Sequence, residues 1–213
     1  DDCVTVPPGN PVVLAGDAVA VLNQTIMRLA SFHGLARENM TRAQGWRFLD
    51  MGMRIERSIY LATLVDFALH SPEADDPSLL EALLEVADST ITYRSRYNLL
   101  PNIAAVHDLV LLDDTNPRSL FFQLNQLAKH FERLPREKAN ALPSPGYRLL
   151  LECLTRVRLV DPRPLARMRG NWQESEAGAA VQQVLRDLPR LSDAIALSYF
   201  AHSTPSWAGG GGR

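Results

Sequence analysis

Apolar residues recur at intervals of three and four along most of the chain, a spacing that predicts helices. No stretch alternates with period two over a convincing length, so a sheet is not expected. The pattern predicts helices over about residues 12–33, 44–69, 77–97, 103–110, 117–134, 147–160 and 174–202. We expect Pro189 to kink the last helix, because proline removes a hydrogen bond from a helix interior.

Capping residues mark several of these helix ends. Gly34 follows the first helix, where a left-handed C-cap belongs. Asp76-Pro77 and Asn116-Pro117 each place a capping side chain before a proline at the first helical position.

The connections between the predicted helices are short, which favours neighbouring helices that run antiparallel. The predicted fold is therefore all-α, an antiparallel up-and-down helical bundle of about six to seven helices. Residues 1–11 are expected to form an irregular lead-in, 12–202 a single helical domain, and 203–213 a disordered tail.

Composition and charge limit the kinds of molecule that the chain is expected to contact. With 213 residues and 46% hydrophobic content, the chain can bury a core of its own. A net charge of -2 gives no reason to expect nucleic acid, and no apolar run approaches the ~18 residues of a membrane span. Cys3 and Cys153 have neither metal-site spacing nor a disulfide framework, which fits a cytoplasmic location.

Motifs of metal and nucleotide chemistry are missing from the sequence. A di-metal site in a helical bundle needs a glutamate three residues before a histidine on each of two helices. None of the five histidines meets this condition; leucine precedes His130 and alanine precedes His107 at that spacing. Gly-x-Ser-x-Gly, Walker and Gly-x-Gly-x-x-Gly patterns are also missing, so the sequence predicts no metal site and does not support a self-sufficient hydrolase, kinase or dehydrogenase.

Four polar groups lie at or near predicted helix ends. The first contains Arg37, Glu38, Asn39 and Arg42, and the second contains Arg47, Asp50, Arg54, Glu56 and Arg57. The third contains Tyr93, Arg94, Arg96 and Tyr97, and the fourth contains Asp113, Asp114, Thr115, Asn116 and Arg118. Capping loops, solvated ion pairs and arginines that reach from a helix end into water are the structural alternatives.

Glu56 differs from the other members of its group. The other four are spaced as one stripe, which we expect to face solvent. Glu56 lies in a separate row of small or apolar residues that we expect to face neighbouring helices. An unpaired buried carboxylate costs several kcal/mol or more, so it should have partners. We therefore hypothesise that the four groups converge at one end of the bundle, with Glu56 as their buried member.

These residues resemble the alpha-E domain family, bacterial all-helical proteins named after a glutamate-bearing motif. The resemblance covers about residues 30–135 and rests on the segments 37–42, 45–50, 56–57, 93–97 and 112–120. Tyr199-Phe200 also resembles the closing segment of the family. An opening helix with its own Glu-Arg pair, usual in the family, has no counterpart here.

The resemblance implies association with a circularly permuted ATP-grasp protein, often beside a transglutaminase-like protease and a proteasome-related peptidase. Such a context implies a system that forms or processes amide bonds. ATP and Mg²⁺ would then act through the ATP-grasp partner, and no cofactor is expected in this domain. The resemblance assigns no catalytic residues.

Three functions stay open at this point. The favoured one is an accessory domain that recognises the ligase or an acidic, peptide-like substrate. Its binding groups would be the arginines at positions 54, 57, 94, 96 and 118, whose planar forks suit carboxylates and phosphates. The alternatives are an enzyme with Glu56 as general acid or base, and a structural scaffold that binds no ligand.

Overall fold

The computed structural model describes residues 11–97, 100–134, 142–168 and 170–200, except for the side chains of residues 11–15. Every regular element in these ranges is helical, which confirms the predicted all-α class. The predicted tail, and all but the last residue of the predicted lead-in, lie outside the described residues.

Eight α-helices are present in the described ranges. They are α1 (Pro11–Asn39), α2 (Gln44–His70), α3 (Pro77–Val86), α4 (Thr90–Tyr97), α5 (Ile103–His107), α6 (Leu120–Glu132), α7 (Pro145–Arg158) and α8 (Glu176–Tyr199). A π-helical turn, Asp108–Leu112, follows α5, and two 3-10 turns, Arg163–Arg167 and Trp172–Glu174, precede α8. Pro189 lies inside a continuous α8, and the kink there stays a prediction.

The chain divides into two units, residues 1–48 and 49–213. The first contains α1 and the start of α2. The predicted end of α1 near Gly34 is wrong, since the helix continues to Asn39. A glycine in a helix costs only about 1 kcal/mol, and the Leu-Ala-Arg-Glu segment that follows favours helix. The single domain over residues 12–202 stays a prediction.

The core of the second unit is built mainly from leucine and valine. Helix α7 packs against both α6 and α8. Side chains with no exposed surface come from every major helix of this unit, among them Val65, Leu80, Leu124, Leu150 and Val184. Helix α2 contributes the face that carries Met51, Ile55, Ser58, Ala62 and Val65.

The predicted helix over residues 77–97 is interrupted. Its start is as expected, because the Asp76 carboxylate accepts the Ser78 N–H at 2.7 Å. Asp88, however, adopts a left-handed conformation with φ of 50°, and the Ser89 N–H donates to the Leu84 carbonyl oxygen at 2.8 Å. This closure ends α3 and redirects the chain into α4.

The start of α6 also differs from its prediction. Ser119, not Asn116, is the N-cap, and its hydroxyl accepts the Phe122 N–H at 3.0 Å. The side chain of Asn116 is occupied elsewhere: its carbonyl oxygen accepts the Arg118 N–H, and its NH₂ group donates to Ser89 and to the Leu109 carbonyl. Asn116 therefore holds the loop before α6 against the α3–α4 junction.

Candidate functional site

A buried carboxylate connects α2 to α6, and it belongs to Asp50. One of its oxygens accepts Arg54 Nε–H at 2.6 Å and lies 2.5 Å from His130 Nε2. The side chains of all three residues are less than one-fifth exposed. The prediction that Asp50 and Arg54 belong to a solvent-facing stripe is wrong, because they lie on the flank of α2 that meets α6.

Gln123 extends this cluster to the loop before α6. Its carbonyl oxygen accepts Arg54 Nη1–H at 3.1 Å, and its NH₂ group donates to the Pro117 carbonyl oxygen. Ser58 adds a hydroxyl bond to the Arg54 carbonyl oxygen at 2.8 Å. A continuous hydrogen-bonded path therefore runs from α2 through α6 to the loop of residues 113–119.

That loop is held to α4 by Arg96. The guanidinium of Arg96 forms an ion pair with Asp113 and donates to the Thr115 hydroxyl at 2.7 Å. The other Asp113 oxygen accepts the Thr115 N–H at 2.8 Å and the Asn116 N–H at 3.2 Å. The Asp113 side chain is only 7% exposed, so these bonds replace most of its hydration.

The pKa of Asp113 reflects this environment. Burial alone would raise it, but the hydrogen bonds from Thr115, the nearby Arg96 charge and the Asn116 N–H together lower it below its usual value. The carboxylate is thus held ionised, and its hydrogen bonds stabilise the conformation of the 113–119 loop.

Two stacked tyrosines form the inner side of α4. The rings of Tyr93 and Tyr97 lie 4.9 Å apart. The Tyr97 hydroxyl donates to Asp108 at 2.6 Å, and burial together with this bond raises the pKa of Tyr97. The Tyr93 hydroxyl donates to the Leu100 carbonyl oxygen at 3.4 Å and thereby fixes the segment after α4.

The prediction that Glu56 is buried among arginines is wrong. Glu56 is exposed and has no hydrogen bond or ion pair with any residue in the part of the chain that the structure describes. Glu56 lies on the side of α2 opposite the face that enters the core, so its carboxylate cannot reach the hydrogen-bonded path from α2 to the 113–119 loop. The buried carboxylate of the second group is Asp50, six residues earlier.

The remaining members of the first two groups lie partly in the first unit. Asn39 donates to the Leu35 carbonyl oxygen at 3.0 Å, and Arg42 donates to the Arg37 carbonyl oxygen at 2.5 Å. The Arg42 guanidinium also stacks 4.4 Å from the Trp46 ring centre. Exposed positions are occupied by Arg37, Glu38, Asn39, Arg42 and, in the second unit, Arg57, whereas Arg47 is half-buried.

Some of the predicted site arginines form ion pairs within the structure, and others are exposed without one among the described residues. Arg54 pairs with Asp50, Arg96 with Asp113, and Arg118 with Asp88 at 2.6 Å. Arg57 and Arg94 are exposed and have no ion pair among the described residues. Asp114, another predicted site residue of the 113–119 loop, is exposed as well.

Arg94 lies at an open cleft of about 500 Å³. The cleft is lined by Glu81, Leu84, Thr90, Tyr93, Arg94, Leu100 and Pro101. Leu84 and Tyr93 are almost fully buried, whereas Leu100 is 78% exposed. Glu81, like Arg94, has no ion pair with another described residue. The cleft therefore offers one carboxylate and one guanidinium beside an apolar surface.

Sequence reasoning missed His130, Gln123 and Glu81. His130 and Gln123 are seven residues apart and so lie on one face of α6, a periodicity that was available in the sequence. Nothing in the sequence indicated that this face meets Asp50, which is 80 residues away from His130. Within the described ranges, no cluster of three or more His, Cys, Asp or Glu side chains is suited to a metal ion.

The described residues form an all-helical domain in which polar side chains connect α2 to α6 and α4 to the loop before α6. Residues 9–200 match the Alpha-E family, described as a predicted alpha-helical domain with a conserved ER motif. The chain belongs to this family. Its sequence contains Glu-Arg dipeptides at Glu56–Arg57 and Glu132–Arg133.

Among curated proteins, the chain is similar to the uncharacterized protein Rv2567 of Mycobacterium tuberculosis and to the uncharacterized protein Mb2597 of Mycobacterium bovis. Each is 30% identical over 189 residues, which are 86% of this chain and 21% of the relative. The chain therefore spans about one-fifth of the length of these relatives. No solved structure matches the chain significantly.

None of the described helices is both long enough and apolar enough for a membrane span.

Proposed function

We propose that this chain is an accessory recognition domain in an ATP-grasp-linked system that forms or processes amide bonds. It binds a short peptide-like substrate and presents it to a circularly permuted ATP-grasp partner, which supplies ATP and Mg²⁺. A transglutaminase-like protein is a second partner of the same system. The domain contributes recognition, and the partner contributes the chemistry.

The observation that supports this proposal is the position of Arg94 at the cleft without an ion pair among the described residues. A guanidinium with free donors binds a carboxylate in a bidentate manner. Glu81 on the same cleft suits a protonated amine, and the apolar lining of Leu84, Leu100 and Pro101 suits the body of a short peptide.

The other arginines of the site have a supporting role in this proposal. The Arg54–Gln123 hydrogen bond ties α2 to α6, and the Arg96–Asp113 ion pair ties α4 to the 113–119 loop. Such bracing keeps α4, and with it Arg94, in one orientation before a ligand arrives, which lowers the entropic cost of binding.

The rival in which Glu56 acts as general acid or base has less support. Glu56 is exposed, and among the described residues no polar neighbour holds its carboxylate or shields it from water. A general acid or base is normally positioned by such neighbours.

Peptide titrations followed by NMR test the recognition half of the proposal. The probes are trialanine, its C-terminal amide and its N-acetyl form, each added to the 213-residue chain. We expect trialanine to bind about tenfold more tightly than either blocked form, because each loses one charged contact. Arg94→Ala should abolish the preference over the amide, and Glu81→Gln the preference over the N-acetyl form.

Arg167→Ala is the matched control, because Arg167 is an exposed arginine that does not line the cleft. It should leave all three affinities unchanged. Equal affinity of the wild-type chain for trialanine and its amide would contradict the proposal.

Co-expression with the ATP-grasp protein, followed by gel filtration, tests the proposed partnership. That part of the proposal fails if the two proteins elute separately.

A further inference from the structure

The two walls of the Arg94 cleft differ in charge. One wall is formed by α3, which carries Glu81 and Glu85 and no lysine or arginine. The other is formed by α4, which carries Arg94 and Arg96 and no aspartate or glutamate. Every residue that lines the cleft lies between positions 81 and 101, so the cleft forms within the second unit alone. The charge difference between the walls is therefore a property of this unit.

The charge of the α4 wall is partly neutralised within the fold, whereas that of the α3 wall is not. Arg96 forms an ion pair with Asp113, which leaves the guanidinium of Arg94 as the charge of α4 that a ligand can use. Glu81 and Glu85 are exposed, and neither has an ion pair with another residue of the described ranges. A ligand with one cation at Glu81 and one carboxylate at Arg94 would leave the charge of Glu85 unmatched.

The position of Glu85 is unfavourable for the free helix. Glu81 and Glu85 are four residues apart, and like charges at this spacing repel each other on a helix surface. Glu85 also lies in the last turn of α3, where the helix dipole disfavours a negative charge, and no basic residue in that turn offsets it. Both costs decrease when a cation binds beside Glu85. The α3 wall is therefore suited to two positive charges rather than one.

We propose that the cleft selects peptides whose first residue is lysine or arginine. This inference rests on the proposed peptide-binding function and specifies its substrate class. The N-terminal amine of the peptide binds Glu81, the basic side chain binds Glu85, and the C-terminal carboxylate binds Arg94. The peptide therefore crosses the cleft from α3 to α4, and a basic residue at its last position does not meet the same partner.

The spacing of the two glutamates suits a single basic residue. Residues four apart on a helix have Cβ atoms about 5–6 Å apart. The four-carbon stem of lysine covers about this distance between its α-amine and its ammonium group. An acidic first residue would instead place a third carboxylate beside Glu81 and Glu85, so such peptides are disfavoured. Acidic peptides are therefore not the preferred substrates of this cleft.

Four tripeptides test this inference: Lys-Ala-Ala, trialanine, Glu-Ala-Ala and Ala-Ala-Lys. Each is titrated into the 213-residue chain, and binding is followed by NMR. We expect Lys-Ala-Ala to bind about threefold more tightly than trialanine, and Glu-Ala-Ala about threefold more weakly, since exposed ion pairs contribute modestly. Ala-Ala-Lys should bind no more tightly than trialanine. Added salt should reduce the preference for Lys-Ala-Ala, because the contact is exposed.

Variants of single glutamates complete the test. Glu85→Gln should bring the ratio of the affinities for Lys-Ala-Ala and trialanine to about one. It should also raise the melting temperature of the free chain slightly, because both unfavourable charge effects in α3 are removed. Glu152→Gln is the matched control, because Glu152 is an exposed glutamate that does not line the cleft. It should leave the ratio unchanged.

The outcomes separate this inference from the function on which it rests. A wild-type chain that distinguishes trialanine from its amide, but binds Lys-Ala-Ala no more tightly than trialanine, would overturn the inference alone. Persistence of the lysine preference in Glu85→Gln, or its loss in Glu152→Gln, would do the same. Failure of every tripeptide to bind would overturn both the inference and the proposed function.

Discussion

Acidification should destabilise the second unit through His107. This side chain is fully buried, its Nδ1–H donates to the Ile103 carbonyl oxygen at 2.7 Å, and Nε2 has no hydrogen-bond partner. Burial lowers the pKa of His107 from 6.5 to about 4, and the bond to Ile103 opposes this only in part. The folded protein therefore holds the neutral imidazole in a range where the unfolded chain is already protonated.

The sign and size of the effect follow from this pKa difference. Because the pKa of His107 is lower in the folded state, the free energy of unfolding has its full value above pH 6.5. It decreases as the pH falls toward 4, since the unfolded chain then binds a proton that the folded chain does not. The complete loss amounts to about 3 kcal/mol. Between about pH 7.5 and about pH 5, the expected loss is about 2 kcal/mol, because most of the transition lies in this interval.

Urea unfolding of the wild-type chain and of His107→Leu, at both pH values, measures the effect. Leucine fills most of the same space and does not titrate, so the variant should lose about 2 kcal/mol less stability than the wild type over this interval. The comparison subtracts the other histidines, which are common to both proteins. Equal losses in the two proteins would refute the reasoning.

Three further predictions concern single positions. Gly178→Ala should lower the melting temperature markedly, because a Cβ there would lie 2.1 Å from the Gln173 carbonyl oxygen. Asp50→Asn should cost about 3 kcal/mol in urea unfolding, because it leaves the mostly buried Arg54 guanidinium without its carboxylate; the control Asp114→Asn, at an exposed position without a hydrogen bond or ion pair among the described residues, should leave the unfolding midpoint unchanged. Cys153 should resist iodoacetamide until the chain unfolds, as judged by mass spectrometry, because burial raises its pKa to about 12; rapid labelling in the native protein would contradict this.

The helical class could be predicted from the sequence because periodicity and capping are local. Asp76 followed by Pro77 marks a helix start with little dependence on the rest of the chain, and the structure has the start of α3 there. The α3–α4 junction was missed because Asp88 adopts its left-handed conformation without a glycine or proline to indicate it. Asn116 was misassigned for a related reason, since it resembles a cap and in fact bonds to Ser89, 27 residues earlier.

The candidate site was harder to predict because its members meet through packing. The sequence indicated that a carboxylate of α2 is buried beside arginines, but the choice between Asp50 and Glu56 depends on which flank of α2 meets α6. Spacing alone placed Glu56 among small and apolar residues, but this row lies on the exposed side of α2. The pairing of Asp50 with His130 joins α2 to α6, and no local pattern contains that information.

The availability of Arg94 is the central claim, because the proposed recognition function depends on it. The most direct measurement is the ratio of the affinities for trialanine and its C-terminal amide, compared between the wild-type chain and Arg94→Lys. The wild type should prefer the free acid about tenfold, and lysine should reduce this preference because it lacks the planar fork of arginine. A wild-type ratio of about one, or an unchanged ratio in the variant, would contradict the account.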